Sequence, residues 1–343
     1  MSITPLILGS GRSGHAIAKS IACLQILRPE LNLQTPVWLD RNSNLKYERT
    51  KFKKAILCIA TPHALHSKTI IEAENSKFDG IICEKPACVN LQQLEELKKI
   101  ATPTAILHAY RQTWGIQTIK KMIDNNNFGE IISIEGRYWQ PSSAIRALDE
   151  TSLNKLTWKD DKMLAGEYDT YIDLATHWIE AVSFLLNSAP IKIRGWKSHA
   201  NSVSPSSQFR DSHVHLNLTY SNKTTSLGSI SKTVHGSTNH FEINILGTKQ
   251  TATWIFEKPD EIKIGEGRDC KYIYRTNQDI GSQQPPFHST GWLEGYIEII
   301  SQLINDSFCL KVIDKDNNKN YKYPTLIFNL KVLDSMFKIQ WDS

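Results

Sequence analysis

Up to about residue 118, short apolar runs alternate with stretches whose apolar residues recur at helical spacing, the pattern of βαβ units that build a parallel sheet. The spacing predicts strands at Pro5–Leu8, Pro36–Leu39, Ala55–Ala60, Gly80–Cys83 and Thr104–Leu107, with helices over Gly14–Leu27, His63–Ala73 and Leu91–Ile100 between them. From Ile131 onward apolar and polar residues alternate instead, in Ile132–Tyr138, Val214–Tyr220, Ser226–Ser231, Phe241–Leu246 and Thr251–Phe256. That period of two predicts a second domain on a largely antiparallel sheet. Helices around Tyr171–Leu186 and Trp292–Leu303 interrupt it, and a last helix, Leu326–Phe337, can fold back on the first domain. The expected fold class is α/β, with domains at 1–118 and 119–343, and Ser202–Ser207 and Asp314–Asn320 as surface loops.

Composition narrows the function. The 343 residues are enough for two domains, and 40% hydrophobic content is enough for ordinary cores. The net charge of +5 is not gathered into basic runs, which argues against nucleic acid. Six cysteines (Cys23, Cys58, Cys83, Cys88, Cys270, Cys309) form no CxxC pair, so they read as buried thiols of a reducing compartment, and no metal site is expected. The first strand follows no basic leader, and no apolar run approaches the ~18 residues of a membrane span, so the expected location is the cytoplasm.

The first strand runs into Gly9-Ser10-Gly11-Arg12-Ser13-Gly14 and then a helical pattern. Strand, G-x-G-x-x-G and helix in that order form a Rossmann dinucleotide loop: the glycines allow a tight turn and let a pyrophosphate approach backbone N–H groups. Gly9, Gly11, Arg12, Ser13 and Gly14 are therefore candidate cofactor residues. Asp40 ends the next strand, 26 residues after Gly14, where a carboxylate would accept hydrogen bonds from the adenosine ribose. It would repel a 2′-phosphate, whereas the neighbouring Arg41 could pair with one or stack on adenine, so NAD is favoured and NADP is the alternative.

Thr61-Pro62, followed by His66, and Glu84-Lys85-Pro86 follow two further predicted parallel strands, at the edge where open α/β sheets bind ligands. The Lys85 ammonium can stabilise an alkoxide developing on a substrate. In the second half Asp173 and His177 stand four residues apart on one helix face, and an imidazole there suits a general base for alcohol oxidation. His213 and His215 read as one polar face of a strand.

In order along the chain, Gly9–Gly14, Asp40, Thr61-Pro62 with His66, Glu84-Lys85-Pro86, Tyr110-Arg111, Asp173 and His177 resemble the Gfo/Idh/MocA family of glucose-fructose oxidoreductase and inositol dehydrogenase. Gly247-Thr248, Trp254, Glu257, Glu294-Gly295-Tyr296 and Tyr323-Pro324-Thr325 extend the resemblance over nearly the whole chain. It implies a Rossmann domain followed by an α/β domain whose open sheet supports homodimers or homotetramers, with the nicotinamide between the domains. It further implies Lys85 and His177 as the acid/base pair, Asp173 as a substrate holder, and Thr61, Pro62 and Glu84 at the border of the cofactor.

The chain departs from the family pattern at a short Arg41–Cys58 segment, at Gly166-Glu167-Tyr168-Asp169 in place of a glycine-rich lead, at Ala175, and at Trp292. The reading is an NAD(P)-dependent dehydrogenase of a secondary alcohol on a sugar, polyol or nucleotide sugar such as a UDP-N-acetylhexosamine. Tyr110, Arg111 and Trp139 are candidate substrate contacts, with Arg111 able to receive a phosphate or carboxylate. The rival readings are a sugar or dinucleotide sensor without turnover, and a glycosidase that uses bound NAD as an internal redox device.

Overall fold

The computed structural model describes residues 2–149, 151, 155–198, 210–277, 285–309 and 323–342. Ser202–Ser207 and Asp314–Asn320 lie outside the described residues. The described residues divide into two compact units, one of 2–112, 292–309 and 323–330, the other of 113–149, 151, 155–198, 210–277, 285–291 and 331–342.

The first unit is built on a parallel sheet of β1 (Thr4–Leu8), β2 (Val37–Leu39), β3 (Ala55–Ile59), β4 (Gly80–Cys83) and β5 (Thr104–Ile106), in the order β2-β1-β3-β4-β5. β1, β3 and β4 are buried along their whole length, as parallel strands covered on both faces must be, which is why they read as unbroken apolar runs. The connecting helices are Arg12–Leu27, Leu45–Thr50, His63–Asn75 and Leu91–Leu97; the short Leu45–Thr50 helix fills the abbreviated segment after Asp40. The helix Trp292–Phe308 belongs to this unit although it follows most of the second in sequence. Its Ile299, Ile300, Leu303 and Ile304 join Ile7, Ile17, Ile56 and Ile82 in one core cluster.

The second unit carries a nine-stranded sheet of β6 (Ile131–Trp139), β7 (Lys192–Ser198), β8 (His213–Thr219), β9 (Thr225–Ser231), β10 (His240–Gly247), β11 (Thr251–Ile255), β12 (Glu261–Glu266), β13 (Asp269–Tyr274) and β14 (Gln340–Trp341). Its order is β13-β12-β11-β10-β6-β9-β8-β7-β14. β6 with β9 and β7 with β14 pair parallel, and the remaining neighbours are antiparallel. The expected α/β class with a largely antiparallel second sheet is what the structure shows. The helix Leu326–Phe337 forms over the expected residues, and the division between the units falls inside it.

Two expectations are corrected. Tyr171–Leu186 is not one α-helix: Tyr171–Ala175 form a π-helical turn that runs directly into the α-helix Thr176–Leu185. The cysteines are not all buried, since Cys270 and Cys309 are exposed. Among the described residues no helix is long and apolar enough to cross a membrane.

Candidate active site

In the first unit, the register of the parallel sheet sets out the candidate residues. Leu39 pairs with Leu8, Leu8 with Ile59, Ile59 with Cys83 and Cys83 with Ile106, so the strands end in one row. The residues that follow, Gly9, Asp40, Thr61, Glu84-Lys85 and His108, therefore share the carboxyl edge of the sheet, where ligands bind in folds of this type.

Each glycine of the loop answers a different demand. Gly9 has φ +115°, and a β-carbon there would lie 2.3 Å from the carbonyl oxygen of Ala60. At Gly14 a β-carbon would lie 1.9 Å from the carbonyl oxygen of Gly9 and 3.3 Å from the ring of Trp38. At Gly11 it would meet nothing within 4 Å, so the space above the loop is open. The Arg12–Leu27 helix begins with no side-chain cap and no acidic residue in its first turn. Uncapped N–H groups, an open glycine and the exposed Asp40 fit a dinucleotide: the loop would take the pyrophosphate and Asp40 the ribose. Arg12 and Arg41 are exposed and Ser13 is half-buried.

Glu84 is buried and accepts a hydrogen bond from the Tyr296 hydroxyl and another from Ser13, tying the end of β4 to the glycine loop. Burial raises its pKa; the hydrogen bonds and the neighbouring Lys85 ammonium oppose that shift only in part. Lys85 is half-buried, between Glu84 and a cis bond to Pro86. His66 is fully buried, with Nδ1 2.7 Å from the carbonyl oxygen of Pro86 and Nε2 2.8 Å from that of Thr61. It thus ties the Thr61-Pro62 turn to the Lys85-Pro86 turn, both half-buried at Thr61 and Pro62.

His108 was not anticipated from sequence. It is buried, and the Asn329 amide donates to its Nε2 at 2.8 Å. Burial, then the charges of Lys85 and Arg111, hold its pKa well below the ordinary imidazole value. Its position one residue past an apolar strand was the available signal. Tyr110 and Arg111 lie in the 3-10 turn Ala109–Gln112, both buried, with the Arg111 guanidinium 5.3 Å from the centre of the Phe328 ring.

The candidate residues of the second unit lie on and beside its sheet. Trp178, on the Thr176–Leu185 helix, is fully buried against the sheet, and β-carbons at Gly136 and Gly228 would each come within 2.8 Å of its ring. Those two glycines let the Thr176–Leu185 helix sit close on the sheet. His177 stays half-buried, its ring 6.1 Å from that of Tyr138 in an edge-on arrangement. Strand alternation puts Trp139 on the opposite face, where its Nε1 donates to Ser229 and Arg137 lies over its ring, so of the two aromatics Tyr138 is the neighbour of His177.

Asp173 is buried on the π-helical turn, and its Oδ2 receives Lys159 and Lys232, both at 2.8 Å. The turn is held from below by Asp211, whose two carboxyl oxygens accept the N–H groups of Asp169 at 2.7 Å and Tyr171 at 2.6 Å. Burial raises the pKa of Asp211 despite those hydrogen bonds. His213 and His215 hydrogen-bond to each other, Nε2 to Nε2 at 2.9 Å, on an exposed strand face.

This chain belongs to the Gfo/Idh/MocA oxidoreductase family: the model of that family's C-terminal alpha/beta domain matches residues 120–326. Levoglucosan dehydrogenase of Pseudarthrobacter phenanthrenivorans is 26% identical over 242 residues, 62% of this chain and 58% of that protein. Glucose-6-phosphate 3-dehydrogenase of Bacillus subtilis is 28% identical over 136 residues, 38% of this chain and 37% of that protein. The alignments thus span less than two thirds of these relatives. A solved levoglucosan dehydrogenase with NADH has the same fold, with a TM-score of 0.80 at 20% identity over 98% of this chain and 96% of that one. An inositol dehydrogenase homolog with NAD+ from Azotobacter vinelandii gives 0.79 at 16% identity, over 98% of this chain and 96% of that one.

Proposed function

We propose that this chain is an NAD-dependent dehydrogenase that oxidises a secondary alcohol of a sugar or polyol, with a nucleotide sugar as one candidate within that class. The observation that carries the reading is the single row of strand ends, which gathers an open glycine loop, the exposed Asp40 carboxylate and the Glu84-Lys85 pair on one edge. The family to which the chain belongs, and relatives named as sugar dehydrogenases, support it. The NAD+ and NADH in the two solved relatives support NAD as the dinucleotide.

Bound nicotinamide would supply a hydride acceptor. In the proposed roles His177 takes the proton of the reacting hydroxyl, and Lys85 hydrogen-bonds the oxygen as it becomes alkoxide and then carbonyl. Asp173, held by its lysines, orients the sugar. Glu84 and His66 fix the two turns that carry Thr61, Pro62 and Lys85. The exposed Trp196 and Leu227 on the nine-stranded sheet support a homo-oligomer.

The test is the rise in absorbance at 340 nm when the protein and NAD+ meet levoglucosan, glucose 6-phosphate, myo-inositol and UDP-N-acetylglucosamine in turn. A sustained rise with one of them is expected. Bound NAD that is never reduced in net terms would replace this reading with the internal-redox or sensor one.

A further inference from the structure

Lys232 follows β9 directly and is 4% exposed. Its backbone is pinned on both sides: the N–H donates to the Ser212 carbonyl at 3.1 Å, and the carbonyl accepts from Ser143 at 2.9 Å. The side chain ends between two carboxylates, 2.6 Å from Asp169 Oδ1 and 2.8 Å from Asp173 Oδ2. Asp169 and Asp173 begin and end one turn, with the Asp173 N–H donating to the Asp169 carbonyl at 2.8 Å. The charged groups around this point are Lys159 on Asp173, Asp211 beneath the turn, and Arg210, whose guanidinium donates to the carbonyls of Gly166 at 3.0 Å and Tyr168 at 2.6 Å.

A buried ion pair is a poor means of stabilising a fold, because desolvation offsets most of the Coulomb gain, but it fixes the position of the groups it joins. We propose that Lys232 is a positioning residue: its ammonium clamps Asp169 to Asp173, locks the π-helical turn Tyr171–Ala175, and so fixes Asp173 and His177 toward the substrate hydroxyl. A π turn leaves the regular helical ladder and needs such support from outside, and these turns recur at functional sites. Burial alone would lower the pKa of Lys232, but Asp169 and Asp173 outweigh it and the net direction is upward, so the clamp keeps its charge. The catalytic part of this inference rests on the function proposed above; the mechanical part does not.

Hydrogen–deuterium exchange of the full chain separates the two. In Lys232→Met, peptides covering 169–177 should exchange about tenfold faster or more, with exchange in β1 and β3 unchanged and Lys232→Arg restoring most of the protection. Turnover with whichever panel sugar is oxidised should fall in kcat by about a hundredfold, with KM changed far less, and recover in part in Lys232→Arg. Unchanged exchange at 169–177, or an equal rise throughout the second unit, overturns the proposal whatever happens to the rate. Raised exchange with an unchanged rate leaves the clamp standing and removes Asp173 from the proposed mechanism. Should Lys232→Met fail to fold, Asp169→Asn cuts the same clamp from the other side; faster exchange at 169–177 supports it, and parent-like exchange overturns it.

Discussion

Glu84 shows how a single side chain can be costly and still be needed. Its carboxyl is buried between Tyr296, Ser13 and Lys85, and burial lifts its pKa above the ordinary carboxylate range. A carboxyl that binds its proton more tightly folded than unfolded makes stability fall as pH climbs from the unfolded value, about 4.3, toward the raised folded one. Glu84→Gln removes that dependence. Thermal unfolding from pH 5 to 8 should therefore show a smaller loss of stability with rising pH in Glu84→Gln than in the parent; parallel curves would contradict the assignment. Glu84 and Lys85 were legible because they follow an apolar strand. The partnership of Tyr296 with Glu84 was not, since 212 residues separate them and only the fold brings them together.

At the scale of elements, the strand, loop and helix at the N-terminus make separable demands. Gly9→Ala places a methyl against the Ala60 carbonyl in a backbone conformation that L-residues avoid, and should destabilise the protein by about 3 kcal/mol or more. Gly11→Ala meets no atom and should leave stability within about 0.5 kcal/mol, yet weaken NAD+ binding about tenfold by filling the approach to the backbone. Urea unfolding and NAD+ titration of both variants distinguish them; a Gly11→Ala protein with parental affinity would show that the loop does not hold the dinucleotide. This element was legible because glycine spacing and apolar runs both encode it. The edge strand β13 was not, because five of its six residues are exposed and leave no apolar alternation to read. The π-helical turn was hidden for another reason: five residues are too few for apolar spacing to tell a π turn from an α-helix.

For the whole molecule, the two compact units divide the proposed chemistry. The first carries the glycine loop, Asp40 and Lys85, and the second carries Asp173 and His177. Helical periodicity revealed a helix over Trp292–Leu303, which the structure extends to Phe308, but not that it joins the unit of the parallel sheet, because that depends on which core its apolar face meets. Lys232 was likewise invisible in sequence, where a lysine after a strand is ordinarily solvated, and its meaning comes from carboxylates 59 and 63 residues away. The central proposal, that Lys85 and His177 serve one reacting hydroxyl, predicts that the effects of substituting them do not add. The decisive measurement is the rate of NADH formation at 340 nm, with the responsive sugar, for Lys85→Ala, His177→Ala and the double variant. Each single variant should lose about a thousandfold in kcat, and the double should be scarcely slower than either. Losses that multiply in the double variant, or a single variant that keeps near-parental turnover, would contradict it.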